Sequence, residues 1–293
     1  MIKENIVSLV DGFTIELNPK VRHKLKSIPL DKKNNVYITY LPDATENDIL
    51  ETVDFVSKQE LTPITHLPAR TMKDLDHVSD FLKELRNRTD SKKILVIGGG
   101  GNQNGSVSSS LEILECGLLK DNDFEEIGIA GHPEGSPDID QNTVNEFLNK
   151  KYELSKDKNL NLELVTQFFF NAEPFIKWCK FLDNLNIKLP VRVGFPGPAS
   201  FKTLLNFGIM SGVGNSLSFL KKNSSKVTDL LTKTSNDEMF IELANFSKEQ
   251  SSFKNFHCFP FGGFEKTCHW LNALQNGDFT MENDKIVLHN KIF

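Results

Sequence analysis

The sequence lacks long apolar runs. No stretch of its 293 residues reaches the roughly 18 consecutive apolar residues that a membrane-spanning helix needs. The first residues, MIKENIVSLVDGF, contain only short apolar runs broken by Glu, Asn and Asp, so they do not form the apolar core of a secretory signal. We therefore expect a cytoplasmic protein with no membrane partner.

Basic charge and paired cysteines are also scarce. Lys and Arg total 34 against 39 Asp and Glu, a net charge of -5, which leaves no basic stripe to neutralise nucleic-acid phosphates. The cysteines form no CxxC pair and have no His at zinc-finger spacing, which favours reduced thiols over disulfides or a structural metal. They are Cys116, Cys179, Cys258 and Cys268. We expect neither a nucleic-acid partner nor a metal.

Phenylalanine, in contrast, is abundant. The chain has 23 Phe but only 3 Tyr and 2 Trp, and we interpret this excess mainly as filling of a hydrophobic core. The overall composition, 39% hydrophobic and 25% charged, is that of a globular protein. A chain of this length can bury one large core.

Short β-rich runs alternate with segments of helical periodicity, the pattern of repeated βα units around a parallel sheet. The predicted strands are Phe13–Leu17, Val36–Tyr40, Pro63–Leu67, Ile94–Gly98, Glu126–Ala130, Glu163–Phe168, Pro190–Gly194 and Asn255–Phe259. The predicted helices are Glu46–Gln59, Lys73–Arg88, Ser108–Cys116, Gln141–Lys156, Pro174–Leu185, Ser200–Met210, Asp237–Gln250 and Glu265–Gln275.

Eight such units favour a (β/α)8 TIM barrel over an open doubly wound sheet. We predict a single domain over residues 1–293, with an extra helix within Gly214–Thr234, between the seventh and eighth strands. Residues after about Gly277 are expected to form a terminal hairpin or tail.

In such barrels the active site lies at the carboxyl ends of the strands, so polar residues there are candidates. Glu16 in FTIEL would be desolvated if it points into the barrel mouth, which suits a general acid; otherwise it is a solvated or salt-bridged glutamate. His66 is a general base, a donor that orients a ligand, or a satisfied core histidine. Gln167 carries both a donor and an acceptor, which suits the edge of a heterocycle, unless it belongs to a buried strand.

The glycine run in ILVIGGGGNQNGS, residues 94–106, fails two standard phosphate-binding patterns. No Lys follows at P-loop spacing, and no GxGxxG is completed. A backbone free of side chains would still let a flat ligand approach closely and use peptide N–H groups. The alternative is a merely flexible loop.

Several motifs, in order, resemble those of the methylenetetrahydrofolate reductases, flavin-dependent (β/α)8 barrels of one-carbon metabolism. The family's SFEFFPPK, VTY and HLT are similar to TIELNPK, ITY and HLP here, which contain Glu16, Tyr40 and His66. Its AAYPE and ITQFFFD are similar to AGHPE and VTQFFFN, which contain His132 and Gln167. The resemblance covers roughly residues 12–264.

The resemblance implies an enzyme that interconverts 5,10-methylenetetrahydrofolate and 5-methyltetrahydrofolate, a step towards methionine. It implies bound FAD and NAD(P)H as cosubstrate, with hydride moving through the flavin. The folate would be the main partner, and a homo-oligomer is left open.

The resemblance also implies roles for individual residues. Glu16 matches the glutamate that supplies the proton as the methylene bridge opens. Gln167 matches a pterin contact, and Phe207 a Phe that packs on substrate. The implied cofactor-binding residues are Thr39, Tyr40, His66, Gly99, Gly100, Gly101, His132 and Lys151, with Lys150 the alternative to Lys151 near the FAD phosphates.

Four departures fall around the implied ligands, one of them Ser136 where the family has a His after AYPE. The family has Arg-Gly-Asp after strand four, whose aspartate lies close to the flavin, but this chain has only glycines followed by Asn102. The family's Tyr in AYPE is His132, and its Leu-x-Arg after strand eight is replaced by FPFGGFEK, residues 259–266. The alternative function is therefore a flavin-independent folate-binding enzyme, such as a methyl or one-carbon transferase, and a non-catalytic partner subunit also stays open.

Overall fold

Eight strands form one closed barrel in chain order. The computed structural model describes residues 2–100, 102–137, 139–213 and 237–290. The strands are β1 (Thr14–Leu17), β2 (Val36–Ile38), β3 (Pro63–Pro68), β4 (Lys93–Ile97), β5 (Glu126–Gly131), β6 (Asn161–Thr166), β7 (Val191–Pro196) and β8 (Phe253–Phe259). The strands are parallel and alternate with helices, which confirms the predicted (β/α)8 barrel.

All eight predicted helices are confirmed, with ends that differ by a few residues. The helices in the described ranges are α1 (Ile2–Val10), α2 (Glu46–Ser57), α3 (Leu75–Arg88), α4 (Ser110–Glu115), α5 (Leu118–Asp121), α6 (Gln141–Lys158), α7 (Ala172–Asn184), α8 (Phe201–Met210), α9 (Asp237–Phe246) and α10 (Phe264–Gln275). Two 3-10 helices cover Pro19–Ser27 and Ala69–Thr71. The helix predicted within residues 214–234 lies outside the described residues. No helix in the described ranges is long and apolar enough to cross a membrane.

The carboxyl ends of two strands were predicted two residues too late. β2 ends at Ile38, so Thr39 follows it directly, and β6 ends at Thr166, so Gln167 follows it. At β6 the backbone N–H of Phe168 is bound by the side-chain oxygen of Gln167 (3.2 Å) rather than by a neighbouring strand. A local side chain to backbone bond of this kind ends strand pairing.

The chain divides into two compact units. The first comprises residues 1–15, 131–144 and 166–293, and the second comprises residues 16–130 and 145–165.

Aromatic side chains dominate the core of the first unit. Phe195 on β7 stacks on Trp270 of α10, with ring centroids 5.5 Å apart and an interplanar angle of 6°. Phe240 of α9 stacks on Phe256 of β8 at 4.6 Å. All four are buried. The prediction that the excess Phe fills a core is confirmed here.

Helix α1 packs on α9 and α10 in the first unit. Ile6, Leu9 and Val10 are buried, at the spacing of one helical face. The end of the chain forms an antiparallel hairpin of β9 (Phe279–Glu282) and β10 (Lys285–Leu288), as expected. The turn residues Asn283 and Asp284 have positive φ, the conformation of a tight hairpin turn.

The second unit has an aliphatic core around Tyr37, Ile64, Leu95 and Val165. Gly128 of β5 lies against it, since a Cβ there would meet Leu95 at 2.8 Å. The Tyr37 hydroxyl donates a hydrogen bond to the buried Glu163 carboxylate (3.2 Å). Helix α2 begins with a reciprocal capping box between Thr45 and Asp48.

Candidate active site

Glu16 and His66 form a close pair in the second unit. Glu16 lies on β1 and His66 on β3, and the Nε2 atom of His66 is 3.7 Å from Oε1 of Glu16. Both side chains are largely buried, 17% exposed for Glu16 and 9% for His66. The distance is longer than that of a direct hydrogen bond. The pair can hold and move a proton where little water competes.

Thr39 holds the ends of the first two strands together. Its backbone N–H and its hydroxyl both donate to the carbonyl of Leu17, at 3.2 and 3.4 Å. The carbonyl belongs to the residue after Glu16, so Thr39 fixes the backbone that carries the carboxyl group. Its predicted contact with a cofactor stays a prediction.

Tyr40 is half-buried beside an acidic group. Burial raises the pKa of Tyr40 to about 12, and the nearby Glu46 carboxylate acts in the same direction. The hydroxyl therefore stays a hydrogen-bond donor at neutral pH. Glu46 also contacts Nε2 of His77, whose Nδ1 accepts the backbone N–H of Lys73 at 3.1 Å. Neither Glu46 nor His77 lies in a motif, so sequence reasoning missed both.

The glycine loop after β4 is anchored to the segment after β3. Arg70 accepts a backbone hydrogen bond from Asn104 (2.8 Å) and donates one to Gly98 (2.9 Å), and Ser106 donates to Lys73 (2.7 Å). Gly105 must be glycine, since a Cβ there would lie 2.0 Å from the Lys73 carbonyl oxygen. These contacts argue against the alternative of a merely flexible loop.

Two of the loop glycines face open space. A Cβ built on Gly98 or on Gly100 meets no atom within 4 Å, whereas Gly99 has a φ of +84° and packs on Pro68. A side chain would therefore fit at Gly98 and Gly100, and its absence leaves room for a ligand. Gly101, also a predicted contact, lies outside the described residues.

Arg70 is a cation beside this loop that sequence reasoning missed. It is half-buried, and its Cβ lies 3.9 Å from the Cβ position of Gly99. Within the described ranges its guanidinium makes no hydrogen bond or ion pair. It offers hydrogen-bond donors to an anion beside the glycine loop.

Lys151 and Lys150 on α6 have different surroundings. Lys150 pairs with Glu146 (2.6 Å) on the surface. Lys151 is half-buried, and burial lowers the pKa of Lys151 to about 8. An anion beside Lys151 would relieve the cost of burying this charge, so of the two it is the better phosphate contact.

In the first unit, Gln167 directly follows β6. Its backbone N–H donates to Gly131 (3.0 Å). Its side-chain oxygen is used by Phe168 N–H, and its Nε2 makes no hydrogen bond within the described ranges. Gly194 lies under it, where a Cβ would be 2.4 Å from the Thr166 carbonyl oxygen. The half-exposed amide thus retains donors for a ligand.

His132 follows β5 and begins a turn, with its carbonyl accepting the N–H of Gly135 (3.1 Å).

Phe207 lies on α8 and packs against a buried cluster made by Phe168, Phe170, Ala199, Leu204 and Val213. Phe259 and Phe261 are partly buried against the same cluster. Neither Phe was predicted as a site residue, although both fall in FPFGGFEK, the segment that departs from the family.

No family model matches the chain. A solved structure similar to it is an uncharacterized protein from Clostridium thermocellum that binds two copies of 5-methyl-5,6,7,8-tetrahydrofolic acid. That protein is 14% identical, with a TM-score of 0.53, and the match covers 94% of this chain and 98% of that one. A 7,8-dihydropteroate synthase from Vibrio fischeri ES114 matches at 10% identity over 90% of this chain and 92% of that one, with a TM-score of 0.46. At such identities the likeness to the clostridial protein establishes a shared barrel fold.

Proposed function

We propose that the protein is a flavin-dependent oxidoreductase that interconverts 5,10-methylenetetrahydrofolate and 5-methyltetrahydrofolate, with NAD(P)H as cosubstrate. The observation that carries the proposal is the buried pair of Glu16 and His66, 3.7 Å apart. The motif resemblance supports it, as does the folate ligand of the clostridial protein with the same fold.

Glu16 is the proposed catalytic acid. Its carboxyl group gives a proton to the folate nitrogen as the one-carbon bridge opens, and takes one back in the reverse direction. His66 keeps the Glu16 carboxyl group oriented. The low exposure of both side chains keeps water from competing for the proton. Gln167 and Phe207 are the proposed contacts to the folate itself.

The residues of the second unit fit FAD. Gly98 and Gly100 leave open space, Tyr40 presents a protonated hydroxyl, and Lys151 is a half-buried cation suited to phosphate. A bound flavin would supply hydride exchange with the folate and NAD(P)H. The FAD contacts that the resemblance implies for Thr39, His66 and Gly99 belong to the same proposal, and the contact implied for His132 stays a prediction.

The loss of a carboxylate after β4 favours oxidation of 5-methyltetrahydrofolate. Reduction adds negative charge to a flavin, and a neighbouring carboxylate opposes that change. With only glycines where the family has the aspartate, a bound flavin should be easier to reduce. A flavin potential no higher than that of reductases that keep the aspartate would remove this preference.

The same glycines favour the second candidate, a flavin-independent folate-binding one-carbon transferase. That enzyme would retain Glu16 and Gln167 but need no Arg-Gly-Asp loop. Colour separates the two, because the oxidoreductase purifies yellow or becomes yellow on reconstitution with FAD, and the transferase does neither.

Calorimetric titration with 5-methyltetrahydrofolate tests the folate-binding half of the proposal. We expect saturable binding with a micromolar or tighter Kd, weakened in Gln167→Ala and retained in Glu16→Gln. Absence of binding to the wild-type protein, with and without FAD, would overturn both candidates.

A further inference from the structure

The turn after β8 presents one aromatic ring against another in the first unit. Phe261 and Phe207 of α8 stack nearly parallel, with centroids 4.0 Å apart and an interplanar angle of 14°. Phe168 contacts the same Phe261 ring edge-on at 4.7 Å. Both are favourable aromatic geometries. Phe261 is thus held from two directions, and one face of Phe207 is covered.

The backbone fixes Phe261 in this place. Its N–H donates to the carbonyl of Phe259 (2.9 Å), which also accepts the N–H of Gly197 (2.9 Å). Gly262 approaches the neighbouring backbone so closely that a Cβ would lie 1.8 Å from the carbonyl oxygen of Pro198. This close backbone approach requires glycine at position 262, whereas a flexible turn would accept other residues there.

Phe207, Phe259 and Phe261 are less completely buried than the phenylalanine rings that fill the core. Phe168 and Phe170 are 2% and 1% exposed, whereas Phe207, Phe259 and Phe261 are only partly buried. A ring that serves the core alone gains most by complete burial. Instead, the partly buried Phe207 and Phe261 present aromatic surface that stays accessible.

We propose that Phe261 is a positioning residue that holds the Phe207 ring ready to pack on the planar aromatic part of the folate. This inference rests on the proposed function. It extends that function to a residue of the FPFGGFEK segment, for which the family resemblance offers no role. A ring held in place before binding loses less conformational freedom when the ligand arrives, which raises affinity.

Three substitutions at Phe261 test the proposal through the Kd and KM for 5-methyltetrahydrofolate. Phe261→Leu keeps apolar bulk but removes the ring, so we expect the Kd to rise about three- to tenfold, the scale of one aromatic pair. Phe261→Ala should weaken binding at least as much. Phe261→Tyr restores the stack and should restore the Kd, while kcat changes little in all three.

Phe246→Ala is the matched control. Phe246 is a partly buried ring of the same unit whose centroid lies 6.2 Å from that of Phe175, outside the Phe207 cluster. It should lower thermal stability without changing the Kd. Separate titrations with a reduced pterin and with 4-aminobenzoylglutamate identify the part of the folate that Phe207 contacts, since only that part should respond to Phe261→Leu.

The outcomes are distinct. If Phe261→Leu binds folate with the wild-type Kd, the role of Phe261 is overturned and the proposed function still stands. The same holds if Phe261→Leu loses affinity for folate and Phe261→Tyr does not restore it. No folate binding by the wild-type protein overturns both. A change in kcat with no change in Kd or KM would also contradict a positioning role.

Discussion

Nε2 of His66 lies 3.7 Å from Oε1 of Glu16, and both side chains are largely shielded from water. The two residues come from β3 and β1, and Thr39 holds the backbone beside Glu16 through two hydrogen bonds to Leu17. A shielded carboxyl group on a backbone held this way suits the role of general acid that we propose for Glu16.

Replacing Glu16 by Gln should abolish most of the turnover. The amide keeps the shape of the side chain but cannot donate an acidic proton, and general acid catalysis is typically worth about 100- to 10,000-fold. We expect kcat to fall by about that factor, with the Kd for 5-methyltetrahydrofolate changed less than about threefold. Steady-state kinetics and calorimetry measure both. Full activity in the variant would remove Glu16 from the mechanism.

His66→Asn separates two roles of the histidine. If His66 orients Glu16, kcat should fall about tenfold while FAD affinity stays constant. The carboxyl group can still donate a proton in this variant, but it is less well oriented. If its main role is the cofactor contact that the resemblance implies, the Kd for FAD should rise instead. Fluorescence titration with FAD, together with kcat, distinguishes the two results.

Gly100→Asp restores a carboxylate after β4. The site accepts a side chain, since a Cβ at Gly100 meets nothing within 4 Å and its φ is not positive. The added negative charge should lower the flavin reduction potential and slow oxidation of 5-methyltetrahydrofolate about tenfold. Gly100→Asn, equal in size and uncharged, is the matched control. Equal potentials in the two variants would show that charge at this position is irrelevant.

Lys151 predicts a specific dependence of stability on pH. Burial lowers its pKa to about 8 in the folded protein, while the unfolded chain has a lysine pKa of about 10.4. Between these values the unfolded state binds more protons, so this residue makes the protein more stable as pH rises from about 8 to about 10.4. Below about pH 8 the cost of burying the charge is fully present.

Thermal unfolding of wild type and Lys151→Met over this range isolates the effect. The variant keeps the apolar bulk without the charge, so its advantage in Tm over wild type should be largest near neutral pH and shrink as pH rises. Lys150→Met serves as the surface control, since Lys150 pairs with Glu146. A Tm difference between Lys151→Met and wild type that is constant with pH would show that the Lys151 ammonium group is solvated and that its pKa is not lowered by burial.

The strands could be predicted from sequence because alternation of β-rich and helical segments is a local signal. Helix α1 was missed although Ile6, Leu9 and Val10 follow helical spacing, because nine residues give a weak periodic pattern and the helix depends on packing against α9 and α10. The end of β6 was misplaced because the bond from Phe168 N–H to the Gln167 side chain is not visible in a hydrophobicity pattern.

The geometry of the site was harder to predict from the sequence than the fold. Glu16 and His66 were candidates from their motifs, but their proximity depends on the barrel bringing β1 and β3 together. Arg70 lies in no motif, and Phe261 was visible only as part of FPFGGFEK, a departure from the family. Their positions depend on backbone contacts between loops, of Arg70 with Gly98 and of the Phe261 turn with Gly197, which no local pattern encodes.

Anaerobic addition of 5-methyltetrahydrofolate to the protein reconstituted with FAD tests the proposed chemistry in one step. The absorbance of the oxidised flavin should bleach, with one folate oxidised per flavin reduced, and the bleaching should be lost in Glu16→Gln. A protein that never takes up FAD, or one whose bound flavin stays oxidised at saturating 5-methyltetrahydrofolate, would contradict a flavin-dependent oxidoreductase.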